Sequence, residues 1–273
     1  MKYRPKIDSY WLKTDAEFDV PIEIIVDNFR HTPIPENTIR IIIIQEPYSY
    51  GLINTVLDHR NDEYYDYVFT YHQQVLDNNK RAIHFLCINT WISNYQFPAK
   101  KFGVSTLVGG KVKPTMEGLN HRHTLWQRQS EVRIPKDFYL SSQYRYAGGD
   151  YKNSLVLSGT HGDKHVMFDN QFHIVIENTA IPNMFTEKLI DCFQTKTIPI
   201  FYGCPNISEF FNVDGMFTIQ NVDDIINICN NLTSDIYNSK IDAIEDNYQR
   251  SMDYTVDTQI LNRKLNEILN KKI

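Results

Sequence analysis

The sequence predicts an α/β protein of two Rossmann-like halves that face a cleft, with helices at the C-terminal end. First, β-branched apolar segments typical of buried parallel strands alternate with helix-prone segments. The clearest is IRIIIIQEP, at residues 39–47. Second, a polar break, SNYQFPAK at residues 93–100, separates two such runs. In this architecture, ligands bind at the carboxyl ends of the strands, in the crevice between the halves.

The order of elements follows from the same patterns. Before the break, the predicted strands are residues 22–29, 39–47, 64–71 and 82–91. After it, the predicted strands are residues 102–110, 137–142, 171–178 and 198–202, and the predicted helices are residues 117–131, 186–196 and 222–232. The polar, helix-prone residues 239–273 carry apolar side chains at a spacing suited to docking on a surface. We therefore predict domains at residues 1–98 and 99–250, and a C-terminal helical tail at 251–273.

Composition excludes several classes of function. The 273 residues are 42% hydrophobic and 22% charged, which is typical of a soluble globular protein, and the net charge of -5 gives no general attraction to nucleic acid or anionic membranes. The four cysteines are far apart and form no CxxC pair, which indicates reduced, buried thiols. The sequence shows no apolar leader and no apolar stretch of membrane-spanning length. We expect a cytoplasmic protein without a membrane span or a nucleic-acid partner.

The residues that suggest chemistry stand around the start of one predicted helix. A predicted buried strand ends at Glu177 and Asn178, and after a short loop Thr186 is a good N-cap for the helix that follows. The unpaired amides and positive dipole end of such a helix favour an anion. Lys188 adds a full positive charge, and Glu187 can accept two hydrogen bonds from a ribose diol. The pattern fits a nucleotide-diphosphate site; the alternative is an ordinary first-turn acid beside a solvated base.

A longer stretch carries a family resemblance. Residues 174–212, IVIENTAIPNMFTEKLIDCFQTKTIPIFYGCPNISEFFN, resemble the donor-binding signature of glycosyltransferase family 10, the α1,3/4-fucosyltransferases. The shared order is a strand, Glu-Asn-Thr, a loop, Thr-Glu-Lys, a helix, Pro-Ile and a Gly-x-Pro turn. The resemblance extends more weakly to the first strand of the second half, to the turn at residues 46–47 and to the strand at 66–71. One departure is Met184, where the family usually has Tyr.

The resemblance implies a GT-B-type, inverting transferase that moves a sugar from a GDP-sugar, usually GDP-fucose, to a hydroxyl of a glycan acceptor. The N-terminal domain then lies on the acceptor side and the second domain holds the donor. It implies no cofactor beyond the donor substrate. The sequence shows no DxD-like carboxylate cluster at a predicted strand end, so we expect chemistry that is independent of metal.

The family's donor residues correspond to Asn178, Glu187 and Lys188. The backbone amides of the helix that starts at Thr186 are expected to hold the diphosphate. Members also hold phosphate with an arginine in the first helix of the donor domain. Arg122 is the best match, and Arg128 is the competitor on a different face of the same helix. The alternative for Arg122 is a solvated helix base.

The family's general base corresponds to Glu46, which follows the predicted strand at residues 39–47. Inversion requires one carboxylate to take the proton of the acceptor hydroxyl, and the leaving diphosphate requires positive charge. The alternative for Glu46 is a strand-end cap or an ion-pair partner.

Two other functions stay open. A catalytically degenerate transferase fold would act as a nucleotide-sugar or glycan-binding module, which Met184 and the short N-terminal domain suggest. A different nucleotide-sugar enzyme on the same two-domain plan would differ in donor preference.

Overall fold

The structure is a computed structural model that describes the chain apart from residues 10, 11, 48, 49, 87, 89, 93, 94, 110–112, 114, 142–154, 158–163, 255–257 and 271–273, and apart from the side chains of 155–157, 258 and 259. The chain forms two compact units, one of Met1–Ile88 with Tyr254–Ile273 and the other of Asn89–Asp253. The first break therefore comes earlier than the predicted boundary after residue 98.

The first unit is built on a parallel five-stranded sheet. Its strands lie side by side in chain order: β1 Lys6–Asp8, β2 Ile22–Val26, β3 Ile39–Ile44, β4 Tyr67–Thr70 and β5 Ala82–His84. Its helices include α1 Tyr50–Leu57, α2 Gln73–Asn78 and the 3-10 helix His59–Tyr64. Every residue of β3 is buried. A parallel strand covered on both faces reads as an unbroken apolar run, which is why β3 was predictable.

The C-terminal helix α8, Thr258–Asn270, belongs to this first unit. Its apolar face consists of Ile260, Leu261, Leu265 and Ile268, all buried. These side chains pack in one core cluster with β2, β3 and Phe85. The predicted separate tail at residues 251–273 is thus corrected, because the helix completes the apolar core of the first unit.

The second unit holds a parallel six-stranded sheet in the order β11-β10-β9-β6-β7-β8. Its strands are β6 Lys101–Val108, β7 Lys136–Ser141, β8 Leu155–Leu157, β9 Asn170–Ile176, β10 Ile198–Tyr202 and β11 Phe217–Thr218. Its helices are α3 Glu117–Gln127, α4 Glu187–Gln194, α5 Val222–Asn231, α6 Ser234–Ser239 and α7 Ile241–Ser251. Short 3-10 helices are Gln129–Glu131, His165–Asp169, Ile207–Glu209, Val213–Gly215 and Met252–Tyr254.

In the core of the second unit, the neighbouring strands β9 and β10 pack against α3 and α5. Alternate strand residues pack with both helices: Phe172, Ile174 and Ile176 of β9, Ile198, Ile200 and Tyr202 of β10, Leu125 and Trp126 of α3, and Ile225 and Cys229 of α5. Ile176 pairs with Tyr202 in the parallel register. The residues that follow the two strands, Glu177 and Gly203, therefore emerge together at one edge of the sheet.

Cys192, Cys204 and Cys229 are buried free thiols, and burial raises the pKa of each. This agrees with the prediction of reduced, buried thiols for these three cysteines; Cys87 lies outside the described residues. In the described part of the chain, no helix combines the length and the apolarity that crossing a membrane requires.

Candidate functional site

The start of α3 lies directly on the chain that leaves β9. The Gly118 amide donates to the Asn178 carbonyl at 3.1 Å. A Cβ at position 118 would stand 1.7 Å from the Glu177 carbonyl oxygen, so a side chain there would collide with backbone. Gly118 thus lets α3 approach the carboxyl end of the central strand, which carries the side chains of α3 to this edge of the sheet.

Glu177 is a buried carboxylate that holds Thr186 and Lys188 in place. Its side chain is 1% exposed. Its Oε1 accepts hydrogen bonds from the Thr186 amide at 2.9 Å and the Thr186 hydroxyl at 2.7 Å, and its Oε2 lies 3.5 Å from the Lys188 ammonium. A buried carboxylate is costly without such partners. The sequence places Glu177 at the predicted strand end but does not indicate its role, since its partners come after an intervening loop.

Thr186 is the N-cap of α4, as predicted. Its backbone is extended, with φ of -127°, and its Oγ1 accepts from the Lys188 amide at 3.4 Å and the Lys188 ammonium at 2.9 Å. The Thr186 amide and hydroxyl both donate to Glu177. The structure therefore shows Thr186 as the cap that joins the end of β9 to α4. Its role as a direct donor ligand stays a prediction.

Glu187 and Lys188 form an ion pair, with Oε1 and Nζ 2.9 Å apart. Burial opposes the charge of Lys188, but Glu177 and Glu187 outweigh burial and raise the pKa of Lys188 above its ordinary value. Burial likewise opposes ionisation of Glu187, and the nearby Lys188 and Lys164 hold its pKa below the usual range. Both groups are thus charged at neutral pH. The Lys188 side chain keeps 32% of its surface exposed and can meet a ligand.

Arg122 reaches the same place from α3. Its Nε donates to the Ile176 carbonyl at 2.9 Å, and its Nη2 donates to that carbonyl as well. Arg128, the competing candidate, instead pairs with Glu131 and Asp223, each at 2.8 Å, on the surface. The structure therefore brings Arg122, and not Arg128, to the cluster of Glu177, Thr186, Glu187 and Lys188.

Asn178 and Met184, which flank this cluster in the sequence, differ in burial. Asn178 is half-buried, and its side-chain amide makes no hydrogen bond within the described part of the chain. Met184 is buried, so this position fills the interior. The loop between them is shaped by Asn183, whose φ of 63° is left-handed and whose amide donates to the Asn206 side chain at 2.8 Å.

A buried carboxylate lies one helical turn beyond Glu187. Asp191 is 2% exposed and accepts from the Trp91 amide at 3.2 Å. The Lys164 ammonium lies 3.8 Å from the centre of the Trp91 ring. Burial, and then the charge of Glu187, raise the pKa of Asp191 to about 8, while burial lowers the pKa of Lys164. Sequence reasoning missed this group, because no local motif links residues so far apart in the chain.

Glu46 lies in the other unit, just past the end of β3, with an exposed side chain. This is the predicted place, at the carboxyl edge of the sheet. Among the described residues, no group of three or more His, Cys, Asp or Glu side chains is placed to hold a metal ion. Metal-independent chemistry stays a prediction.

Comparisons with known proteins give one short sequence match and a shared fold. No protein-family model matches the chain. It is 27% identical over 109 residues to the alpha-(1,3)-fucosyltransferase FucT of Helicobacter pylori, a match over 39% of this chain and 22% of that protein. The matched region is thus less than a quarter of the relative's length.

Solved structures give the fold. The crystal structure of TarM matches with a TM-score of 0.51 at 15% identity, over 90% of this chain and 54% of TarM. A crystal structure of an alpha1,3-fucosyltransferase with GDP-fucose matches with a TM-score of 0.47 at 15% identity, over 83% of this chain and 69% of the other. The chain has a GT-B-type glycosyltransferase fold, and its sequence resembles the α1,3-fucosyltransferases of glycosyltransferase family 10.

Proposed function

We propose that the chain is an inverting glycosyltransferase that moves fucose from GDP-fucose to a hydroxyl of a glycan acceptor. The observation that carries the proposal is the convergence of Arg122, Glu187 and Lys188 at the carboxyl end of β9. Two cations and a ribose-binding carboxylate at that edge of a parallel sheet fit a nucleoside diphosphate. The likeness to FucT supports fucose as the sugar, and GDP is the carrier that the family resemblance implies.

The donor residues take separate parts. Arg122 and Lys188 bind the diphosphate and stabilise the charge that develops on it as the sugar leaves. Glu187 accepts hydrogen bonds from the ribose hydroxyls. Asn178, with an amide that has no partner in the described structure, orients donor groups. Glu177 keeps Thr186 and Lys188 in place.

Glu46 acts as the general base. Its carboxylate takes the proton of the acceptor hydroxyl, and the acceptor oxygen forms a bond to the anomeric carbon from the face opposite the diphosphate. The bond from that carbon to the diphosphate oxygen breaks, and GDP leaves with the electron pair. The configuration at the anomeric carbon is thereby inverted.

The test is a transfer assay with GDP-fucose and a panel of glycan acceptors. We expect Glu46→Gln to lower kcat by about 10²- to 10⁴-fold, because the amide cannot take a proton. Affinity for GDP-fucose stays unchanged, since the donor residues are intact. Transfer by Glu46→Gln at the wild-type rate would overturn the role of Glu46.

A second candidate is a binding module that holds a nucleotide sugar without catalysis. Met184 favours it, because a buried thioether replaces the hydroxyl that the resembled family usually places there. The wild-type protein would then bind GDP-fucose and release no GDP with any acceptor. A different nucleotide-sugar enzyme would instead turn over a UDP- or ADP-sugar.

A further inference from the structure

Two residues, Gln45 and Glu46, follow β3, and together they have four backbone groups that need hydrogen-bond partners. β3 ends at Ile44, so the N–H and C=O groups of Gln45 and Glu46 lie beyond the strand pairing that covers Ile44. Backbone groups without hydrogen bonds are costly where water is excluded. In this structure each of the four groups has a side-chain partner, and the partners lie just past the ends of the two neighbouring strands, β2 and β4.

Asp27, just past β2, binds both amides. Its Oδ1 accepts from the Gln45 amide at 2.7 Å and from the Glu46 amide at 3.1 Å. The Asp27 amide donates to the Ile43 carbonyl at 2.8 Å, which ties the residue to β3. Its φ of 50° is left-handed, a conformation that Asp tolerates better than most residues.

Tyr71 and His72, just past β4, bind both carbonyls. The Tyr71 hydroxyl donates to the Gln45 carbonyl at 2.9 Å. His72 Nε2 lies 3.3 Å from the Glu46 carbonyl oxygen, and since a carbonyl only accepts, Nε2 carries the proton. The two rings stack with centroids 4.4 Å apart, and both side chains are buried.

We propose that Asp27, Tyr71 and His72 are positioning residues that fix the backbone at Glu46 and so aim its carboxylate. The inference rests on the proposed function, in which Glu46 is the base. Asp27 Oδ1 is committed to two amides, whereas the Glu46 side chain is exposed. The geometry therefore suits Asp27 to orientation and leaves the carboxylate of Glu46, the proposed base, open to solvent. A base held on a fixed backbone loses little freedom when the acceptor binds.

The first test needs no substrate. Amide hydrogen exchange on the full chain should show slow exchange at Gln45 and Glu46 in the wild-type protein. Asp27→Ala should speed exchange of these two amides by at least about tenfold, because both lose their acceptor. Asp27→Asn retains an acceptor oxygen and should restore most of the protection. Unchanged exchange in Asp27→Ala would overturn the proposal, whatever the activity.

The second test separates positioning from folding. We expect Asp27→Ala to lower kcat by about 10- to 100-fold, with the KM for GDP-fucose and the GDP affinity unchanged and with recovery in Asp27→Asn. Tyr71→Phe, which removes a single hydroxyl, should lower kcat less. The matched control is Asp66→Ala: Asp66 Oδ2 accepts from the Arg40 amide at 2.9 Å, at the opposite end of β3. This control should leave kcat unchanged.

The two tests also keep the inference apart from the proposed function. Suppose that exchange is fast in Asp27→Ala but that the wild-type protein has no transferase activity. This result would contradict the proposed function and would still support the role of Asp27 in fixing the backbone at Glu46. Equal loss of kcat in Asp27→Ala and Asp66→Ala would contradict the positioning role, because the loss would then follow from general destabilisation of the unit.

Discussion

Several carboxylates at the candidate sites position neighbouring groups. They do so by accepting hydrogen bonds from backbone and side chains or by pairing with a cation. Glu177 holds Thr186 and Lys188, Asp191 holds the Trp91 amide, and Asp27 holds the turn after β3. The sequence predicts Glu187 and Lys188, because they are adjacent at a recognisable helix start. It does not predict the role of Glu177 or of Asp191, because their partners meet them through the fold.

The raised pKa of Asp191 makes the stability of the protein depend on pH. The folded value is about 8 against an ordinary 3.8, so between these values the folded state keeps a proton that the unfolded state has released. The contribution of Asp191 is therefore largest below about pH 4 and is lost as pH rises to 8. Asp191→Asn removes this titration and keeps an oxygen to accept from Trp91.

We expect the unfolding free energy of Asp191→Asn, relative to wild type, to rise with pH by up to about 1.4 kcal/mol per unit within that window. Urea unfolding at several pH values from 5 to 9 measures it. The control is Asp242→Asn, an exposed acid on α7, for which a difference below about 0.5 kcal/mol at every pH is expected. A flat difference for Asp191→Asn would show that the carboxyl is not protonated in the folded protein.

The predicted bounds of a strand or helix agree with the observed bounds where the residues next to the element end it. β10 has its predicted bounds, Ile198–Tyr202, because its apolar run stands between Thr197 and Gly203. The predicted strand at residues 82–91 is too long: β5 ends at His84, and Phe85, Leu86 and Ile88 after it are buried without extending the strand. The sequence does not predict that α8 packs on the first unit. The spacing of its apolar residues shows that the helix has an apolar face, but it does not show which core that face covers.

The packing of α3 against β9 depends on one glycine. We expect Gly118→Ala to destabilise the protein by about 1–3 kcal/mol, because its Cβ would meet the Glu177 carbonyl and push α3 away. The displacement should also move Arg122 and weaken GDP binding. Gly51→Ala on α1 is the matched control: among the described residues its Cβ meets no atom within 4 Å, and the change should alter stability by less than about 0.5 kcal/mol. Chemical denaturation compares the two; equal stabilities would contradict the close approach.

Both units carry their candidate residues at the same place in the architecture. Glu46 follows β3 of the first sheet, and the Arg122–Lys188 cluster follows β9 of the second, at the carboxyl ends of parallel strands in each case. This is where parallel α/β sheets bind ligands. Strand pattern and helix caps predict that placement from the sequence, whereas the transfer chemistry is our proposal, which the likeness to FucT supports.

The proposed function requires that the cluster at the end of β9 bind guanosine diphosphate. Calorimetric titration of the full chain with GDP, and with UDP and ADP as competitors, measures this binding. We expect GDP to bind in preference to the other two, and Lys188→Ala to weaken GDP binding by about 10- to 100-fold, because the change removes a cation that pairs with phosphate. GDP affinity that is unchanged in Lys188→Ala, or no binding of any of the three nucleotides to the wild-type protein, would contradict a nucleoside-diphosphate site at this cluster.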